Sequence, residues 1–332
     1  MTDPTPARPD SSSGPSLAEP RWWWLGLLAL AAVEVVGHFV IQSRVPPMDD
    51  WRDAAALVRI EHGETDAVSV APSWADPLMR QVAGDVVSLR QAGRSDLAPW
   101  DRLWVLSIRG HRSPEAPDVE PDLERRFGRV TVRRYPLGPS PALYDFVEHV
   151  REARVTRATP KGEEPCPWQR RSPRGGGLGE GAMWPSDRFV CDPRRAWLWV
   201  GRTVVEDLEY QPRTCIRQHP QGRRPIRTTF RDVPLGERIV LYAGLYNRHE
   251  RDRDGRRPVY VRVLVDGIEV GRMEHRDGDG WKRMEALSTA DSSLSGRERG
   301  DVTIEVTAPK PHHRSLCWSA TTRGESPREG SR

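Results

Sequence analysis

The sequence predicts an α+β multidomain chain with a single N-terminal transmembrane helix, a small α/β layered domain and a C-terminal antiparallel β-sandwich or jelly roll. Three observations predict it. One twenty-residue apolar run lies near the N-terminus, helix-like and strand-like segments alternate up to residue 157, and the hydrophobic period falls to two from residue 188.

Residues 1–21 are rich in Pro, Ser and charge and have no apolar period, which predicts a disordered tail. Residues 22–41 read WWWLGLLALAAVEVVGHFVI. At ~1.5 Å per residue, a helix of this run crosses a hydrocarbon core of ~30 Å, so a span over 22–43 in contact with membrane lipid is expected. A cleaved leader would have a shorter apolar core and a small-residue cleavage site. Trp22, Trp23 and Trp24 suit the headgroup layer, and Arg21 and Arg44 bracket the span. Flanking charge does not orient it, because Asp3, Asp10 and Glu19 oppose Arg8 alone in the first twenty residues. Glu34 and His38 share one helix face. Either they contact a partner membrane protein, or Glu34 is protonated or paired with His38 in a single span that tolerates it, and the second reading is preferred.

Residues 49–157 form the expected α/β domain. Asp49 or Asp50 can cap a helix over WRDAAALVRIEHG, whose Trp51, Ala54, Leu57 and Val58 fall on one face. A strand is expected at 67–71, then a turn and a helix at 76–82. DRLWVLSIRG reads as a strand, DLERRFG as a short helix and RVTVRRY as an alternating strand. LYDFVEHVREARVTR is either a closing helix or a final strand. Residues 158–187, dense in Gly, Pro and charge, predict a linker. Its GGGLGEG lacks the lysine and the serine or threonine of a phosphate loop.

In 188–323, eight short segments rich in β-branched and aromatic residues are separated by turn residues: RAWLWVGRTVVEDL, PIRTTFRDV, ERIVLYAGLY, PVYVRVLVDG, IEVGRMEHRD, GWKRMEALS, DVTIEVTA and RSLCWSATT. This spacing predicts the sandwich. Asp266-Gly267 between alternating runs is a type I′ hairpin signal, with Val261, Val263 and Val265 facing the core and Arg262 facing away. Residues 324–332 are expected as a second disordered tail.

The four cysteines all lie from the chain's midpoint onward, and none forms a CxxC pair. Behind a membrane anchor, an even number suggests disulfides and an extracytoplasmic body; the favoured pairs are Cys166 with Cys191 and Cys215 with Cys317. Free buried cysteines in a cytoplasmic domain are the alternative. With 51 basic and 47 acidic residues the chain has no basic excess large enough for a nucleic-acid footprint, and no nucleic-acid motif is evident. No GxSxG elbow, HExxH helix or thiol beside a base appears, so no catalytic residue, metal or cofactor is assigned. Glu206, Asp207 and Glu209 make no convincing acid-base pair on a strand, and His219, His249, His312 and His313 read as surface histidines.

The densest polar cluster is HRDGDGW at 275–281. His275, Asp277, Asp279 and Trp281, together with Trp318, are the candidate ligand-binding residues. A tight turn with aspartates accepting local hydrogen bonds explains the cluster and is the preferred reading over a calcium loop, which would need more ligands. Thirteen tryptophans are many for this length, and an exposed indole can stack on a sugar face. Trp184 and Trp199 are further candidates by that argument, although Trp197 and Trp199 share one strand face and read as core.

The stretch DDWRDAAALVRIEHGETDAVSVAPSWADPLMRQVAG, followed by DRLWVLSIRG, resembles the extracytoplasmic domain that follows the membrane bundle of bacterial multi-spanning, lipid-linked-sugar glycosyltransferases. The resemblance covers about 100 residues within 49–157. Those enzymes keep their catalytic acids in loops between membrane helices, so no catalytic residue carries over. The β-rich half resembles carbohydrate-binding-like sandwiches of cell-surface proteins. The expected function is a membrane-anchored, non-catalytic envelope protein that binds glycan or a protein partner. The alternative is an accessory or degenerate component of cell-envelope glycan assembly. A third reading is hydrolysis in a cleft between the two domains.

Overall fold

The computed structural model describes residues 23–171, 184–208, 211–246, 257–312 and 314–325. The chain divides into two compact units, residues 1–48 and 49–332. In the first, α1 (Trp23–Arg44) is a 22-residue helix. It is long and apolar enough to cross a membrane by length and composition. Leu27, Val33, Phe39 and Ile41 are all exposed along it, an apolar surface that lipid accommodates and water does not. The expected N-terminal tail and Trp22 lie outside the described residues.

The body begins with α2 (Met48–Glu61), β1 (Asp66–Ala71), α3 (Asp76–Ala83), α4 (Leu89–Ala92), β2 (Arg102–Ile108), β3 (Leu123–Phe127) and β4 (Val130–Pro136). It continues through β5 (Ala142–Asp145), β6 (Arg154–Thr159), β7 (Gly162–Pro165), β8 (Trp168–Arg170), β9 (Asp187–Val190), β10 (Trp199–Leu208), β11 (Gln211–Gln218) and β12 (Ile226–Pro234). Next come β13 (Arg238–Leu245), β14 (Val259–Val265), β15 (Ile268–His275), β16 (Lys282–Leu287), β17 (Arg299–Thr307) and β18 (Leu316–Arg323).

The first sheet has the order β1-β2-β4-β3, with β1 and β2 parallel and the other pairs antiparallel. A parallel pair needs a crossover, and α3 and α4 lie within it. On α2, Trp51, Ala54, Leu57 and Val58 are buried, as their spacing requires. At the start of β1, buried Asp66 accepts hydrogen bonds from Arg102 Nε at 2.7 Å, Trp104 Nε1 at 2.8 Å and the Gly63 amide at 2.9 Å.

Two larger sheets make the sandwich. One runs β16-β13-β18-β11-β10-β9-β8, with β5 also paired to β18, and the other runs β15-β14-β17-β12-β6-β7. Alternation sends Leu241 and Ala243 of β13, Trp318 and Ala320 of β18, Val261 and Val263 of β14, and Ile304 and Val306 of β17 into a shared core. The hairpin between β14 and β15 turns on Asp266 (φ 48°) and Gly267 (φ 83°), the positive pair that a type I′ turn needs. Disulfides join Cys166 to Cys191 and Cys215 to Cys317.

Several elements differ from the sequence expectation. DLERRFG is not a helix but β3, hairpinned onto β4 through Gly128 at φ 52°, because cross-strand pairing outweighs local propensity. LYDFVEHVREARVTR resolves into β5, a turn and β6, and these pair with β18 and β12. The sandwich therefore draws strands from well before residue 188. Within the expected linker, β7 and β8 are strands. Their polarity hid them: Glu164 of β7 pairs with Arg157, and Glu163 with Arg227. GGGLGEG lies outside the described residues. All eight segments expected as strands after residue 188 are strands, and β11 joins them.

Candidate functional site: a cleft against the outer face of the sandwich

Strand alternation turns Val240 and Tyr242 of β13, and Ser319, Thr321 and Arg323 of β18, away from the core. The segment between α4 and β2 lies across this face. Ser88 caps α4 by accepting the Gln91 amide at 3.2 Å, and the helix stops at Gly93. The Thr214 amide then donates to Gly93 O at 2.9 Å, and the Arg213 guanidinium donates to Arg94 O. Ser95 Oγ lies 2.6 Å from Ser319 Oγ. Asp96 Oδ1 accepts the Ala98 amide at 3.0 Å, while Oδ2 accepts Tyr242 OH at 2.9 Å and the Arg323 guanidinium. One carboxylate thus shapes its own loop and fixes that loop to two strands of the sandwich.

These contacts enclose a cleft of about 520 Å³ including its open mouth. Its third wall is Asp145, the last residue of β5, with Val147 and Glu148 just beyond it. Asp145 Oδ1 accepts the Val147 amide at 2.9 Å. Burial, with the neighbouring Glu148 charge adding to it, pushes the Asp145 carboxyl above its ordinary range. Glu148 meets Arg202 at 2.7 Å and Arg90 at 3.8 Å. Burial and then the Asp96 charge push the Tyr242 phenol up to about 12. The Arg90 guanidinium lies 5.4 Å from the ring of Trp100, which also lines the cleft. Three guanidinium groups (Arg90, Arg94 and Arg323) face three carboxyl groups (Asp96, Asp145 and Glu148), so the lining is balanced in charge.

The residues favoured by the sequence lie elsewhere. HRDGDGW forms the turn between β15 and β16, with Gly278 and Gly280 at positive φ. His275 is buried and its Nε2 donates to Gly280 O at 2.9 Å; burial pushes its imidazole below the usual range. Asp277 accepts the buried Arg314 guanidinium. Asp279 accepts the Arg276 amide at 3.1 Å and Lys282 Nζ at 2.9 Å. Asp279 thus serves the turn itself, and Asp277 serves the ion pair with Arg314 just ahead of β18. Trp318 is a correction: it is 0% exposed, and its Nε1 donates to Gln218 at 2.9 Å, so it is a core side chain with no face for a ligand. Trp199 is buried as well, with the Arg217 guanidinium 4.3 Å from its ring. Burial pushes Arg217 down to about 9.

Trp281 is half-buried and stacks on Tyr242 at 6.2 Å and 11°, so it borders the cleft through that ring. Trp184 is half-buried 5.9 Å from Trp199. Two further expectations reverse: Trp197 is 38% exposed rather than core, and His219 is buried beside it rather than on the surface. Glu209, His249 and His313 lie outside the described residues, as do the side chains of Glu206 and Asp207. Among the described residues, no group of three or more His, Cys, Asp or Glu side chains is placed to hold a metal ion. The cleft residues were only half visible in the sequence. The outward Tyr242, Ser319 and Thr321 follow from alternation, whereas nothing local in the sequence marks Asp96 as their partner.

No protein-family model matches the sequence, and no curated protein matches it. Among solved structures, the CBM51-2 and INT domains of ZmpB from Clostridium perfringens are 11% identical with a TM-score of 0.28, over 51% of this chain and 36% of that one. The tandem CBM51 modules of a family 98 glycoside hydrolase from Streptococcus pneumoniae are 9% identical with a TM-score of 0.27, over 37% of each chain. A carbohydrate-binding module CBM36 in complex with calcium and xylotriose is 10% identical with a TM-score of 0.17, over 33% of this chain and 77% of that one. This chain spans little more than a third of the length of the first two. Likenesses at these scores do not bear on the chemistry of the cleft.

Proposed function

We propose that the chain is a membrane-anchored, extracytoplasmic binding protein whose cleft takes a neutral, hydroxyl-rich glycan. The observation that carries this reading is the lining. A sugar hydroxyl both donates and accepts; Asp96, Tyr242 and Arg323 bond one another, as do Ser95 and Ser319, and Thr321 Oγ1 accepts Arg323 Nε, which leaves the remaining donor and acceptor capacity of these hydroxyls and the Asp145, Glu148 and Arg90 side chains to meet it. Equal numbers of positive and negative groups favour a ligand with no net charge. The apolar exposed helix α1 supports a membrane anchor, and the two disulfides support an oxidising compartment for the body.

A second reading, glycan hydrolysis, draws on one observation: the raised Asp145 carboxyl beside the Glu148 carboxylate is the contrast that an acid and a base require. The link to glycan assembly rests on the resemblance within 49–157 and adds no residue to the cleft.

Calorimetry of the full chain in detergent against neutral hexose and N-acetylhexosamine oligosaccharides tests the proposal. Saturable binding that Thr321→Trp abolishes by filling the cleft is expected. Binding that Thr321→Trp leaves intact, or no binding to any member, overturns it. Release of new reducing ends, lost in Asp145→Asn, would move the reading to hydrolysis.

A further inference from the structure

A second hollow lies apart from the cleft, between the β6–β7 turn, the β9–β10 connection and the β11–β12 connection. It is wide and open, about 1320 Å³ including its mouth. Five cationic side chains line it, Arg157, Lys161, Arg195, Arg223 and Arg224, against the single carboxylate of Glu164. The cleft is balanced in charge, and this hollow is not.

The cations divide into two sets. Arg157 is held in place by Glu164 at 2.7 Å and Asp192 at 3.0 Å, and Arg195 approaches the same Asp192 at 3.7 Å. Lys161, Arg223 and Arg224 are exposed, and no carboxylate lies within ion-pair distance of them among the described residues. Fixed backbone carries them. Gln221 Nε2 donates to Ala158 O at 2.8 Å and to Pro225 O at 3.3 Å, tying one loop to the other. The Ala158 amide donates to Pro225 O, and the Ala308 amide to Gly222 O, each at 3.0 Å. Gly222 (φ 134°) takes the bend that precedes the two arginines, a conformation closed to most side chains. Thr159 Oγ1 closes the opposite turn onto Gly162 O at 2.9 Å.

We propose that this hollow binds an anionic polysaccharide through its carboxylate or phosphodiester groups, with Arg223, Arg224 and Lys161 as the contacts. Guanidinium forks match the two oxygens of such groups, and their desolvation costs less than that of an ammonium ion. The hollow is far larger than a single small anion, and its cations are spread over three connections, which suits a chain of repeating charges. A flat bilayer surface fits less well, because the cations line a concavity that a plane of headgroups does not enter. The cleft and the hollow would then read a neutral and a charged glycan segment respectively, and neither assignment depends on the other.

The test uses the full chain in detergent with polygalacturonate and poly(glycerol phosphate) as probes, neutral dextran as the control polymer, and phosphatidylglycerol vesicles as the competing surface. Saturable binding to at least one anionic polymer is expected, with none to dextran, weakening as salt screens the contacts. Arg223→Ala/Arg224→Ala should lose at least about tenfold in affinity, since two charge-assisted contacts go. Arg125→Ala/Arg126→Ala, an equal loss of charge on exposed β3, should bind like the unaltered chain. Both double variants alter exposed side chains, and unchanged thermal melts would show intact folds. The proposal is overturned if neither anionic polymer binds at low salt, or if the two double variants lose affinity equally. Vesicle binding that depends on Arg223 and Arg224 where polymer binding does not would also overturn it.

Discussion

The phenol of Tyr242 donates a 2.9 Å hydrogen bond to Asp96, a carboxylate 146 positions earlier in the chain. Arg323 reaches the same oxygen from the next strand, and the other oxygen holds the Ala98 amide. One carboxylate therefore joins the loop that roofs the cleft to both β13 and β18, beside the ties that Gly93, Arg94 and Ser95 make to β11 and β18. Asp96→Asn keeps the shape and removes the charge, and should destabilise the body by about 1–3 kcal/mol, read as a lower denaturant midpoint at unchanged slope. The Tyr242 phenol should also titrate below about 12 in this variant. Burial, the larger cause of its upward shift, would still hold it above its ordinary value; ultraviolet absorbance against pH measures this.

Gly93 fits where no side chain can. A Cβ there would lie 2.5 Å from Thr214 Oγ1 and 2.7 Å from the Thr214 amide nitrogen, the atom that donates to Gly93 O. Backbone cannot swing aside as a long side chain does. Gly93→Ala should cost about 1–3 kcal/mol and speed hydrogen exchange in residues 93–100 ahead of the sandwich core.

The two disulfides should differ in worth. Cys215 and Cys317 are 102 positions apart, and Cys166 and Cys191 are 25 apart. In the loop-closure account the longer bridge removes more freedom from the unfolded chain, about 4.7 kcal/mol for such a loop against roughly 3–4 kcal/mol for the shorter. Thermal unfolding of the paired alanine variants measures the order, with Cys215→Ala/Cys317→Ala the less stable.

Asp66 sets an acid limit on the α/β layer. Burial alone would raise its carboxyl, but Arg102, the Gly63 amide and Trp104 outweigh burial and hold it below the usual carboxylate range. A pKa lower in the folded than in the unfolded chain gives stability that is present above the unfolded value and is lost as pH falls through the folded one. Asp66→Asn should flatten this part of the acid limb below about pH 4. It should also cost about 1–3 kcal/mol at neutral pH, because Arg102, itself partly solvated, loses a charged acceptor. Unfolding midpoints across pH for both proteins test it.

Much of the framework was legible in the sequence because periodicity follows burial. Val261, Val263 and Val265 alternate with Arg262, and Trp51, Ala54, Leu57 and Val58 recur at helical spacing. What escaped was polar. The strand β7 carries Glu163 and Glu164 at a sheet edge, where ion pairs to Arg227 and Arg157 replace apolar packing. The cleft escaped for a related reason: Asp96, Asp145 and Tyr242 come from a loop, a strand end and a strand middle, and only the fold brings them together. HRDGDGW drew notice because its polar residues are adjacent in sequence, yet adjacency served a turn. Trp318 looked like a ligand platform for its size alone; its neighbours across β11 and β13 bury it.

The most direct test is hydrogen exchange, read by mass spectrometry, on the full chain with and without a saturating neutral oligosaccharide. If the cleft holds the glycan, protection should rise in residues 93–100 and along β13 and the second half of β18, and stay unchanged in the 275–281 turn. Protection confined to that turn, or no change at the cleft while binding is saturated, would contradict the account.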